Sequence, residues 1–154
     1  MKFIGKTDIN ASLNDTFAVF ADFGFFESIA SKSGAKTVRT DELTAPGPGM
    51  SWQTEVDFRG KPRKLQVELV DYDPPHSLNF MANSDRYKIE INVALSRSAA
   101  KWTDASLKLD VSAKSITGRI TLQSARVKKK ALQARFQSGV DKLGLKIMRR
   151  TKPV

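Results

Sequence analysis

The sequence predicts an α+β fold: an antiparallel sheet of about seven strands, two short helices after the first strand, and a long C-terminal helix across one face of the sheet. Three observations predict it. Seven stretches read as short strands, most of them alternating apolar and polar residues with a period of two, so each has one face to bury. The last six are joined by short connections, which makes them antiparallel neighbours. The stretch Thr117 to Arg150 carries Leu122, Ala125, Leu132, Phe136, Val140, Leu143 and Ile147 at helical spacing. At ~100° per residue these lie within about 40° of Phe136, a stripe wide enough to seat on a core. Read as one helix, the stretch is about 50 Å long. No other element is long enough to cover the sheet.

The elements follow in order. Phe3 to Asn10 reads as a first strand. Ser12, with Asp15 three residues on, offers a helix start resembling a capping box. Phe17, Phe20 and Ala21 continue that helix, and Gly24 is expected to break it. A second short helix, Phe25 to Ala30, ends before Gly34. From Ala35 the period becomes two. A strand over Lys36–Leu43 ends at the turn Ala45-Pro46-Gly47-Pro48-Gly49. Met50–Arg59 turns Trp52, Thr54, Val56 and Phe58 to one face. Arg63–Asp71 does the same with Leu65, Val67 and Leu69, and Asp73-Pro74-Pro75 stops it. Ser77–Asn83, then Tyr87–Leu95, then Ala105–Ala113 complete the set, the middle one alternating most clearly.

Composition narrows the function. One domain over residues 1–154 is expected, large enough for a core of its own. There is no cysteine, which excludes disulfides, thiolate metal sites and a Cys nucleophile. With one histidine and no spaced carboxylate cluster, no metal and no cofactor are expected. The first eight residues have no apolar core of the signal-peptide kind, and no apolar run approaches the ~18 residues of a membrane span. The expected location is cytoplasmic, peripheral to the membrane if the basic helix docks there; monomer and homodimer both fit.

The charge is unevenly placed. From Arg119 to Val154 there are eleven basic residues and one acid, Asp141, which accounts for the whole net charge of +10. The other 118 residues carry fifteen basic and fifteen acidic groups. Arg126, Lys128, Lys129 and Lys130 place four cations in five residues, a candidate for binding an anionic surface.

The element order resembles the helix-grip fold of the START-like (SRPBCC) superfamily, which includes Bet v 1-like allergens and polyketide cyclases. Local stretches are similar too: Ile9 to Phe17 to its strand-to-helix opening, Pro48-Gly49-Met50-Ser51-Trp52 to its Gly-rich turn, and Phe58 to Lys61 followed by Val70 to Leu78 to its hairpin and Pro-Pro turn. The resemblance spans essentially the whole chain. It implies a curved sheet gripping the long helix, with an apolar cavity between them for lipids, sterols, polyketides or quinones. It implies no reaction, since the superfamily shares no catalytic motif.

Inward-facing Trp52, Phe58, Phe80, Tyr87, Leu107, Phe136 and Val140 are the candidate cavity lining; packed solidly, the same residues make an ordinary core. Phe23, Phe25 and Phe26 would sit near the mouth. Tyr87 and Trp102 carry polar tips that could orient a ligand. His76 follows Pro74-Pro75 without an orienting partner and reads as a surface turn residue. Lys129 falls near the stripe centre, so it either snorkels past the sheet edge or points into an opening. Gly139 lies at the stripe's edge, where a close approach would explain it; Gly144 lies off the stripe. No acid–base or nucleophile constellation stands out, so binding or transfer of a hydrophobic molecule is expected ahead of a cyclase or aromatase activity. A basic RNA-binding protein is the third reading; it lacks interleaved aromatics for base stacking.

Overall fold

The computed structural model describes residues 1–58 and 60–154, leaving out Arg59 and the side chain of Phe58. The expectations placed on Phe58 as a lining residue, and on Arg59 in the hairpin, therefore lie outside the described residues. The elements are β1 (Lys2–Ile9), α1 (Leu13–Phe20), α2 (Phe23–Lys32), β2 (Lys36–Arg39), β3 (Ser51–Phe58), β4 (Lys61–Asp73), β5 (Ser77–Asn83), β6 (Tyr87–Arg97), β7 (Thr103–Ala113), α3 (Ile116–Arg126) and α4 (Lys129–Met148). The strands form one seven-stranded antiparallel sheet, ordered β1-β7-β6-β5-β4-β3-β2. Strands β2 to β7 are a meander, and β1 joins its far side against β7. The fold class is the one the sequence predicts.

The long strand β4 has 13 residues and shifts register between Leu69 and Asp71. Such a bulge bends the strand and raises its twist. The inward residues of the central strands meet α1 and the end of α4 in a core of Ile9, Phe17, Phe20, Leu69, Leu78, Val93, Leu95 and Ile147. One polar pair is sealed in it: Thr16 and Thr103 are hydrogen-bonded at 3.3 Å, and the Thr103 hydroxyl donates to the Ala11 carbonyl at 2.9 Å. Each hydroxyl has a partner, as buried polar groups require.

Three local expectations are corrected. Gly24 does not break the first helix; it lies inside α2. The break is at Asp22, whose carboxylate accepts from the Phe25 amide at 3.1 Å and so caps a new helix. Strand β2 stops at Arg39 rather than Leu43. There Asp41 accepts from the Arg39 guanidinium and from the Leu43 and Ser51 amides, folding the chain away from the ladder. The C-terminal stretch is two helices, not one, interrupted at Val127 and Lys128. A straight rod of ~50 Å would overrun strands of 11 residues, which span about 36 Å. The 20 residues of α4 span about 30 Å and match the sheet. The interruption falls among Arg126 and Lys128–Lys130, where like charges at helical spacing repel and cations oppose the N-terminal helix dipole. The predicted stripe is otherwise intact: all seven of its residues are buried or half-buried.

Helix α4 lies along β1, close enough that side chains must be absent in places. A Cβ on Gly5 would stand 2.5 Å from Val140 Cγ2, and one on Gly144 would stand 2.8 Å from Thr7 Oγ1. Gly144 is thus the helix's close-approach glycine; Gly139, to which the sequence assigned that role, faces open space. The helix also closes the edge of the sheet. Gln133 accepts from the Ile4 amide and donates to the Ile4 carbonyl, at 3.2 and 2.7 Å. Gln137 does the same for Lys6, at 3.0 and 2.8 Å. Four residues of helix rise ~6 Å and two residues of strand ~6.8 Å, so the two glutamines match two successive edge-facing peptides. At its far end α4 is held by Arg150, which bonds Asp22 at 2.7 Å and lies 4.2 Å from the Phe25 ring centroid.

Candidate functional site

The concave face of the sheet is only partly filled. Beside α4, between α2 and strands β3 to β7, lies an apolar hollow of about 380 Å³. That volume is within the range of small-molecule pockets. Helix α2 forms one wall because Phe23, Phe26, Glu27 and Ala30, at spacings of three, four and seven, all turn toward the sheet. The opposite wall is the inward face of the strands: Trp52, Val67, Leu78, Phe80, Ile91, Val93 and Leu107. Leu143 of α4 closes the side.

Aromatic rings dominate the wall. Phe23 lies 5.4 Å from Trp52 and 6.3 Å from Phe80 between ring centroids, and Trp52 lies 6.3 Å from Phe80. These tilted and edge-on geometries are the ones aromatic quadrupoles favour. Two polar features interrupt the apolar lining. The Trp52 indole N–H donates to Glu27 Oε1 at 2.9 Å, and the hydroxyls of Thr37 and Thr54 are bonded to each other across β2 and β3. Of the lining residues Glu27 alone is ionisable.

The predicted lining residues do not share one hollow. Trp52, Phe80 and Leu107 lie on this one. Phe136 and Val140 line a neighbouring hollow of about 480 Å³ beneath α4; Leu107 and Leu143 lie on both. Tyr87 lines a third, at the opposite end of the sheet, in more polar company that includes Glu55, Arg63 and Arg86. The separation follows from the seat of α4: pressed onto β1, it leaves an uneven trough rather than one chamber under its centre. Phe23 and Phe26 line the hollow, while Phe25 packs under Arg150. Trp102 is 37% exposed, in the loop between β6 and β7. His76 is exposed in the turn after the cis Pro74–Pro75 bond. The sequence reading missed Glu27. The signal was available: Glu27 stands at a position that the Phe23–Phe26–Ala30 spacing reserves for an apolar residue.

The basic cluster is on the surface. Arg126, Lys128, Lys129 and Lys130 are all exposed where α3 gives way to α4. Among the described residues none of them has a carboxylate within 4.0 Å. Lys129 is exposed to solvent and lines none of the three hollows above. Beside the cluster α3 shows solvent a second stripe: Ile116, Ile120 and Val127 are 78%, 59% and 89% exposed. At ~100° per residue they fall within about 40° of one another. Among the described residues no helix is long and apolar enough to cross a membrane.

Comparison with known proteins gives a consistent frame. A family model described as "Polyketide cyclase / dehydrase and lipid transport" matches residues 2–147. Curated protein sequences give no match. Among solved structures, TTHA0849 from Thermus thermophilus superposes with a TM-score of 0.67 at 12% identity, over 97% of this chain and 96% of that one. The Zhui aromatase/cyclase from Streptomyces sp. R1128 gives 0.63 at 13% identity, over 90% and 92%. A START superfamily protein from Mycobacterium smegmatis gives 0.56 at 14% identity, over 87% and 95%. At such identities the likeness establishes the fold alone.

Proposed function

The chain belongs to the polyketide cyclase/dehydrase and lipid transport family, and from that premise we propose that it binds or carries a hydrophobic small molecule in the hollow between α2 and the sheet. The observation that supports this most directly is the lining itself: about 380 Å³ walled by aromatic and aliphatic side chains. Left empty, such a wall forgoes dispersion contacts that a ligand would restore. The reading is of a carrier or binding module. A cyclase-type reaction needs groups placed to move protons, and this lining offers one carboxylate and a pair of threonine hydroxyls. The test is native mass spectrometry of protein purified from its own host. A retained apolar small molecule is the expected result. Protein that arrives empty and binds no apolar probe would end the proposal.

The second part of the proposal is where the molecule is exchanged. The exposed cations Arg126, Lys128, Lys129 and Lys130 meet an anionic lipid surface, and Ile116, Ile120 and Val127 enter its head-group region. Each such cation contributes about 1 kcal/mol near an anionic membrane, enough in sum for reversible docking. Binding should fall with salt as the Debye length shrinks from about 10 Å at 0.1 M to about 3 Å at 1 M. Co-sedimentation with liposomes of rising anionic content tests this. Replacing Lys128, Lys129 and Lys130 by Gln should release the protein with little change in thermal stability. Wild-type protein that ignores anionic liposomes at low salt but binds RNA would replace this reading with the nucleic-acid one.

A further inference from the structure

We propose that one side of α4 is a cationic rim that lies on an anionic lipid surface, with the trough beneath the helix opening onto the membrane beside it. The rim is Arg135, Lys142, Lys146 and Arg149. The inference rests on the docking reading and says which face is docked.

Helix geometry places the rim. At ~100° per residue these four cations fall within about 60° of one another along ~21 Å of helix. All four are exposed. Lys128, two turns before Arg135, joins the row to the cluster at the start of α4. The contacts of α4 fix where the row points. Gln133 and Gln137, each about 160° from Arg135, hold the edge of β1. The row is therefore on the side turned away from β1. The sole acid of the helix, Asp141, is on the glutamine side, where it accepts from Gln137 at 2.8 Å. Among the described residues none of the four cations has a carboxylate within 4.0 Å, whereas Arg150 is held by Asp22 at 2.7 Å. A row of like charges with the acid turned away makes a field with a direction.

The trough reaches solvent on the same side. The hollow of about 480 Å³ beneath α4 is lined by Arg135 and Gly139 as well as by Phe136 and Val140. Phe136 and Val140 are turned under the helix, onto Phe3 and Gly5. Arg135 and Gly139 are exposed, and a Cβ on Gly139 would meet nothing within 4 Å. The mouth is thus on the side of the row. Through Leu107 and Leu143 this hollow adjoins the one beside α2.

The company of the row favours lipid over nucleic acid. Leu145, 54% exposed, and Ala131 stand beside the cations on the solvent side. Cations mixed with aliphatic side chains suit the head-group boundary of a membrane. Base stacking needs exposed rings, and the one aromatic of α4, Phe136, is tucked against Phe3.

The chain has no cysteine, so single cysteines can be labelled cleanly. Ser138→Cys puts a nitrobenzoxadiazole dye at an exposed position about 60° from Arg135. Ser112→Cys puts the same dye on the face of β7 opposite Leu107 and Leu109. With phosphatidylcholine vesicles containing phosphatidylserine, at low salt, the dye at 138 should shift to the blue and be shielded from aqueous acrylamide. The dye at 112 should do neither. In co-sedimentation, Arg135→Gln/Lys142→Gln/Lys146→Gln should lower partitioning about hundredfold, at about fivefold per cation. Lys6→Gln/Lys36→Gln/Lys108→Gln removes the same charge from exposed lysines of the strands. It should lower partitioning by less than about fivefold, because charges more than a Debye length from the surface are screened. Shielding at 112, or at both positions alike, would overturn the inference and leave docking itself standing. Equal losses in the two triple variants would do the same. Wild type that ignores the anionic vesicles, or that leaves them for RNA, would end the docking reading and this inference with it.

Discussion

Two glycines on α4 make opposite predictions. Gly139 faces open space, so Gly139→Ala should stabilise the protein by up to about 1 kcal/mol through helix propensity. Gly144 has Thr7 Oγ1 only 2.8 Å from where its Cβ would be. Thr7 is β-branched and in a paired strand, so it has little room to yield. Overpacking of this kind costs typically 1–3 kcal/mol, more than the propensity gain, and Gly144→Ala should destabilise. Urea titrations of both variants check this, and equal effects would show the helix is not seated as described. Asp104 supplies a pH prediction. It faces Asp8 directly across the β1–β7 pair, and the hydrogen bond shared with Asp8, some loss of solvation and the repulsion between the two carboxylates raise its pKa above the usual carboxylate value. A raised folded-state value means the protonated form is favoured. The stabilising contribution is therefore present below the ordinary carboxylate range and is lost as pH rises through the raised value. Asp104→Asn should raise the urea midpoint at pH 7, with an advantage that shrinks as pH falls toward about 4. An advantage that is flat over that range would contradict the assignment.

At the scale of the element, the glutamine clamp on β1 is the feature to test. An edge strand exposes unpaired amides and carbonyls and invites pairing with other chains. Here Gln133 and Gln137 occupy the Ile4 and Lys6 peptides. The opposite edge, β2, is four residues long and carries Lys36 and Arg39, another way of discouraging edge pairing. Replacing both glutamines by Ala should cost about 1–3 kcal/mol, because each lost bond is solvent-exposed and its net worth is modest. The sharper readout is hydrogen exchange: the Ile4 and Lys6 amides should lose protection while the Phe3 and Gly5 amides, turned toward β7, keep theirs. Unchanged protection at Ile4 and Lys6 would remove the clamp. Element type was legible throughout because period two and period 3.6 are properties of the local sequence. The ends were less so. Where β2 stops and where α2 starts depend on what Asp41 and Asp22 accept, and the C-terminal helix breaks where its cations crowd.

At the scale of the whole molecule, the sequence could say that the stripe on α4 faces a sheet, but not how far along it the helix would sit. That distance is set by Gly5, Thr7 and Gly144, small residues without a periodic signature. It decides whether Phe136, Val140 and Tyr87 share a chamber with Trp52, and they do not. The same seat makes α4 a structural necessity. It buries Val140 and Ile147, which are 3% and 0% exposed, against β1 and the core, and it closes the β1 edge. A chain ending at Val127 would expose that apolar face and that edge together. Losing a buried Val or Ile contact costs on the order of 1–5 kcal/mol, against a total domain stability of about 5–15 kcal/mol. The truncated chain should therefore show no cooperative urea transition and should aggregate. It would also have lost most of the positive charge, which by itself favours aggregation. A full-length Val140→Asp/Ile147→Asp variant separates the two causes, since it keeps nearly all of that charge and removes only the apolar seat. It should fail in the same way as the truncation. A cooperative transition in either protein would mean that the sheet and α1 hold together without α4, and that the helix is a cover rather than a part of the core.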